Sequence, residues 1–131
     1  MDQQTEKPII MLVDKEQMLL DVYKNIIGDN YDFIFQYDGS QALDTIKTRK
    51  ETGQKDISLL LTGGRMNLMP GWELIRETKK IPGYESLPSI LCTISMSEEE
   101  AKQQGADYVF KKQYHSLNNK LKETIDGILS K

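Results

Sequence analysis

The chain has 131 residues, the length of one domain and too short for two. Hydrophobic residues make up 38% and charged residues 28%, a balance that excludes disordered and collagen-like classes and leaves enough apolar material for a core. Seventeen Lys and Arg against twenty Asp and Glu give a formal charge of -3, so no strongly basic surface is available and direct nucleic-acid binding is not expected.

The opening residues MDQQTEK are polar, and the apolar run after them is far shorter than a signal core or a bilayer span. A soluble chain without a leader or membrane contact is expected. Cys92 is the single cysteine, which rules out an intramolecular disulfide and a cysteine-rich zinc site and suits a reducing, cytoplasmic setting.

Ile9 to Val13 (IIMLV) is a continuous apolar run, short enough for a strand buried on both faces. It ends in Asp14, Lys15 and Glu16. Leu19, Leu20, Tyr23, Ile26 and Ile27 then recur at helical spacing, and Gly28 marks a helix stop. Phe33 to Tyr37 predicts a second strand, Asp38-Gly39-Ser40 a turn and cap, and Ala42, Leu43 and Ile46 a second helix closed by Gly53.

Ile57 to Thr62 (ISLLLT) predicts a third strand, followed by an irregular Gly- and Pro-bearing loop from Gly63 to Gly71. Trp72 to Lys80 reads as a helix and Ser89 to Ile94 as a fourth strand. Ser97 caps a short polar helix (EEEAKQQ) that ends at Gly105, and Ala101 is almost its only apolar residue. Tyr108 to Lys111 is the fifth strand. Leu117, Leu121, Ile125, Ile128 and Leu129 share one face of a last helix, in which Gly127 is an interior weakness of about 1 kcal/mol relative to Ala.

Strands alternating with helices, several strands apolar throughout, imply an α/β fold with a parallel sheet covered on both sides. The working crevice of such sheets lies at the carboxyl ends of the strands. The residues there are Asp14, Lys15 and Glu16 after the first strand, Gly63 and Gly64 after the third, Thr93 at the end of the fourth and Lys112 after the fifth.

In the stretches MLVDKE, DISLLLTGGRM, GWELIRE and GADYVFKK, the chain resembles a response-regulator receiver domain of two-component signalling, over about residues 7–129. The resemblance implies a single flavodoxin-like (βα)5 domain spanning 1–131, a three-layer sandwich with strand order 2-1-3-4-5. It also implies a phosphoryl-accepting site in which an acidic pair holds Mg²⁺, an aspartate takes the phosphoryl group, and Thr or Ser and Lys stabilise the added oxygens. Position by position, Asp14, Thr93 and Lys112 match that pattern. Gly63 stands at the phosphoacceptor position, and Lys15 stands where the second acid belongs.

An ammonium beside the metal position opposes a dication, so Mg²⁺ binding is expected to be lost, with no other metal or cofactor. The resemblance therefore implies a degenerate receiver, not an enzyme, that works through protein contacts with another signalling protein or a second copy. Its contact surface, by the same resemblance, lies around the fourth helix, the fifth strand and the last helix. That surface includes Tyr108, Val109, Lys111 and Tyr114.

If Lys111 instead of Lys112 holds the family's lysine position, Tyr108 regains the aromatic position that couples to Thr93. Lys112 is preferred because it places Phe110 on the lysine's face and keeps Tyr114 at an aromatic position.

The alternative reading keeps the crevice as a site for a phosphoryl group or small anion, held by Lys15, Gly63, Gly64, Thr93 and Lys112. Its bland counterpart pairs Lys112 with Asp14 and leaves Lys15 in water. Glu16 reads as a replacement acid or as a solvated helix-start carboxylate. His115 reads as a solvated or capping residue, Cys92 as a small buried hydrophobe, and Trp72 as half-buried packing or an interaction anchor. A flavin site is disfavoured, because DKEQ supplies no hydroxyl- and glycine-rich phosphate cradle.

Overall fold

The first strand, β1 (Ile9–Val13), is buried at every position, as an apolar run flanked by helices on both faces requires. Met11 and Val13 enter one core cluster and Ile10 and Leu12 the other, so the two-residue period of the strand feeds both sides of the sheet. The computed structural model describes residues 7–94, 96–111 and 119–130. Lys112, Tyr114, His115 and Leu117 lie outside the described residues.

α1 (Gln17–Ile27) turns Leu19, Leu20, Tyr23 and Ile27 into the core, the spacing that its sequence predicts. β2 (Asp32–Gln36) starts and stops one residue earlier than its sequence suggests. Its register with β1 runs from Ile9↔Asp32 to Val13↔Gln36 and is pinned at the ends by Asp32 N–H to the Pro8 carbonyl and Asp14 N–H to the Gln36 carbonyl. Tyr37 falls beyond the ladder and is 47% exposed. Asp38 then caps α2 (Gly39–Glu51), accepting the Gln41 N–H at 2.9 Å.

β3 (Leu59–Gly63) begins two residues later than the apolar run, because the Ile57 N–H is taken by the Tyr84 hydroxyl at 3.0 Å and not by a strand. α3 (Gly71–Thr78) follows, then β4 (Ser89–Thr93), after which Ile94 lies outside the sheet and is 69% exposed. α4 (Glu98–Gln103) carries a complete capping box between Ser97 and Glu100 and buries only Ala101. β5 (Tyr108–Lys111) and α5 (Asn119–Leu129) complete the order. Gly28, Gly53 and Gly105, which the sequence marks as stops, all have positive φ.

All strand pairs are parallel, in the order β2-β1-β3-β4-β5. One core cluster joins the sheet to α2, α3 and Ala101 of α4, and the other joins it to α1 and α5. The central strands β1, β3 and β4 are buried throughout and end side by side, which gathers Asp14, Gly63, Gly64 and Thr93 at one edge.

Candidate functional site at the carboxyl edge of the sheet

Asp14 follows β1 and has no exposed surface. Its carboxylate accepts the Glu16 N–H at 3.0 Å, a two-residue reach that turns the chain out of the strand and into α1. The Tyr23 hydroxyl donates to its other oxygen at 3.3 Å. Lys15 and Glu16 are exposed, and Glu16 stands at the cap position of α1 without making a side-chain cap bond. Asp14 is therefore turned inward, and the lysine beside it faces out.

Backbone fills the ground around Gly63. The Thr62 hydroxyl donates to the Gly63 carbonyl at 2.9 Å. A Cβ on Gly71 would lie 1.8 Å from that same carbonyl oxygen, so the start of α3 rests directly on the end of β3. The Gly71 N–H closes the loop onto the Gly64 carbonyl at 2.7 Å. A Cβ on Gly64 would meet the Thr93 hydroxyl at 2.8 Å and the Trp72 ring at 3.6 Å. The Gly64 N–H is taken by the Cys92 carbonyl at 3.1 Å, which uses up one of the amides named for an anion.

The structure thus brings Asp14, Gly63, Gly64 and Thr93 to one edge, while Lys15 lies at its rim in solvent. Trp72 packs half-buried against the α2 and α3 cluster, and Cys92 is buried.

Sequence reasoning passed over Tyr23, which periodicity alone files as an ordinary core residue. Its side chain is fully buried, beside both Asp14 and Cys92. Burial first, then the neighbouring Cys92 and Asp14, push its phenol far above the ordinary tyrosine range, so the hydroxyl is a permanent donor.

A folded pKa above the unfolded value of about 10 gives stability that is complete below that pH and is lost as the pH rises past it. Tyr23 is expected to contribute a loss of about 1.4 kcal/mol per pH unit above pH 10. Tyr23→Phe should flatten the alkaline limb of a stability profile measured by urea denaturation by that amount. An unchanged slope would mean that the phenol ionises within the fold. Tyr31, raised to about 12 by burial and by its bond to Asp126, keeps part of the alkaline slope in the variant.

On the α4 and β5 side, Tyr108 is 40% exposed, Lys111 is exposed, and Val109 packs partly against the α2 and α3 cluster. The ladder pairs Thr93 with Lys111, so both share a face of the sheet, and Phe110 packs on the α1 and α5 side. Among the described residues no group of acidic, histidine or cysteine side chains is placed to hold a metal ion, and no helix is long and apolar enough to cross a membrane.

No protein-family model matches the sequence, and neither does any curated protein. Solved structures do match the fold. The phosphorylated cyanobacterial phytochrome response regulator RcpA superposes with a TM-score of 0.81 at 16% identity, over 95% of each chain. The chemotaxis response regulator CheY4 of Vibrio cholerae gives 0.73 at 19% identity, over 94% of this chain and 99% of that one. A CheY-like receiver domain protein from Methanospirillum hungatei gives 0.72 at 23% identity, over 95% and 98%. With five parallel strands in the order 2-1-3-4-5 and helices on both faces, this chain has the flavodoxin-like fold of response-regulator receiver domains.

Proposed function

We propose that this chain is a receiver-like module of two-component signalling that is not phosphorylated in the ordinary way and acts, without enzymatic activity, by binding another signalling protein or a second copy of itself. The observation that carries the reading is Gly63 at the carboxyl end of β3, the position of the phosphoacceptor in the family that the sequence resembles. A glycine has no carboxylate to attack phosphorus. Asp14 is turned inward onto the Glu16 N–H and the Tyr23 hydroxyl, and Lys15 adds positive charge at the rim. Mg²⁺ is therefore not a cofactor in this reading.

The contact surface in this reading is the α4, β5 and α5 side, with Tyr108, Val109 and Lys111 at its described part and Tyr114 beyond it. A cytoplasmic home, and protein partners instead of nucleic acid or membrane, follow from the same reading and from the net charge of -3.

The test is incubation of the purified protein with a radiolabelled small-molecule phosphodonor. No stable incorporation is expected. An adduct with the acid or base lability of a phosphorylated side chain would overturn the reading in favour of a receiver that accepts its phosphoryl group at an unusual residue. Amide NMR with Mg²⁺ and beryllofluoride gives the matching check: saturable shifts at Gly63 and Thr93 would restore the ion site.

A further inference from the structure

Asp14, Gly63 and Cys92 form one lateral row across β1, β3 and β4. The register pairs Val13 with Thr62 and Gly63 with Cys92, so the residue after Val13 comes alongside Gly63. All three share a face of the sheet, because Leu12, Leu61 and Cys92 belong to the cluster on the α1 side and side chains alternate along each strand. Strands lie about 4.8 Å apart, so the two flanks of the row are roughly 10 Å apart at their backbones. The side chain of Tyr23, descending from α1, touches both flanks: its hydroxyl donates to Asp14 Oδ2 at 3.3 Å and also faces the Cys92 thiol. The hydroxyl therefore has Asp14 on one side and Cys92 on the other, the two flanks of the row whose middle member is the glycine.

We infer that the Tyr23 side chain is a built-in occupant of the degenerate site, standing over Gly63 where an acceptor side chain would project and holding Asp14 inward. The inference rests on the reading of this edge as a former receiver site. It adds that the site is closed by a side chain from another element, not merely left without one carboxylate. In a close-packed interior a residue missing its side chain leaves a gap unless a neighbour fills it. Tyr23 has no exposed surface and fills that gap with a polar tip whose acceptor is the retained acid.

Two readouts separate the occupant from the site reading. The first is the reactivity of Cys92, the only cysteine, toward a small maleimide. Tyr23→Leu is expected to raise its labelling rate roughly tenfold or more by opening the row from above. An unchanged rate in a folded Tyr23→Leu protein overturns the occupant, whatever the ancestry of the site.

The second readout is fluorine NMR of bound beryllofluoride with Mg²⁺, in a protein whose acids are restored by Lys15→Asp and Gly63→Asp, with and without Tyr23→Leu. Binding only after Tyr23 is cut back supports the inference, as does a restored-acid protein that folds only with Tyr23→Leu. Binding by the restored acids alone overturns the occupant and leaves the site reading standing. If neither folded protein binds while Cys92 still becomes reactive, the occupant stands and the site reading falls. Should Tyr23→Leu not fold, Tyr23→Phe takes its place, because the hydroxyl is the atom over the row, and failure of the Phe variant to change either readout counts against the inference.

Discussion

Gly71→Ala is expected to destabilise the fold by about 3 kcal/mol or more, the upper end of what overpacking a core costs. The new methyl would lie 1.8 Å from the Gly63 carbonyl oxygen and 2.9 Å from both the Gly63 carbonyl carbon and the Thr62 hydroxyl. Two of these neighbours are backbone of a central strand, and the third is a fully buried side chain, so none can step aside cheaply. Relief requires α3 to lift away, which breaks the 2.7 Å bond between Gly71 and Gly64 that closes the loop.

The control is the same substitution at Gly127, which is exposed within α5 and where a Cβ meets nothing within 4 Å. There alanine should stabilise by up to about 1 kcal/mol, since it is the better helix former. Urea midpoints of the two variants are expected to move in opposite directions. A Gly71→Ala midpoint equal to wild type would mean that α3 does not rest on β3 as described.

Tyr84→Ala should cost about 3 to 5 kcal/mol, as large aromatic truncations in cores do. Tyr84 is only 2% exposed and lies in the cluster under α2 and α3, with the Lys50 ammonium 4.9 Å from its ring centre. Its hydroxyl accepts the Ile57 N–H at 3.0 Å just ahead of β3. Tyr84→Phe keeps the ring and removes that bond together with the longer one, 3.4 Å, that the hydroxyl donates to Asp56. Leaving the buried Ile57 N–H without its acceptor is expected to cost about 1 to 3 kcal/mol. The difference between the two variants measures the packing share. A Phe variant as unstable as the Ala variant would refute the division. Since domains of this size are stable by roughly 5 to 15 kcal/mol, that loss is a large share of the total.

Much of this fold is legible in the residues themselves. IIMLV, ISLLLT and SILCTI read as strands because apolar runs of that length have no other way to be buried when helical patterns flank them. The slips are at boundaries, where hydrophobicity stops being informative: Tyr37 and Ile94 are apolar but lie past the ladder, and Ile57 is buried by Tyr84 and not by strand pairing.

The site was half legible. The inward acid and the two glycines could be placed from the strand ends alone. Tyr23 could not, because a tyrosine at helical spacing looks the same whether its hydroxyl meets water or a carboxylate. The available signal was a pairing across distance: a glycine at the end of a strand beside a helix residue with a polar tip at a core position. One sequence does not show which helix residue meets which strand end until the register is known.

The meagre packing of α4 sets how the molecule breathes. Its hydrogen bonds are shut by a capping box and three first-turn glutamates, and only Ala101 ties it to the core, whereas β1 and β3 are buried at every residue. The free energy of local opening therefore runs steeply across the domain, from near the global value in the central strands to little in this helix. Among the described helices and strands, the amides of α4 are expected to trade hydrogen for deuterium first, and its population is expected to shift most under an outside contact.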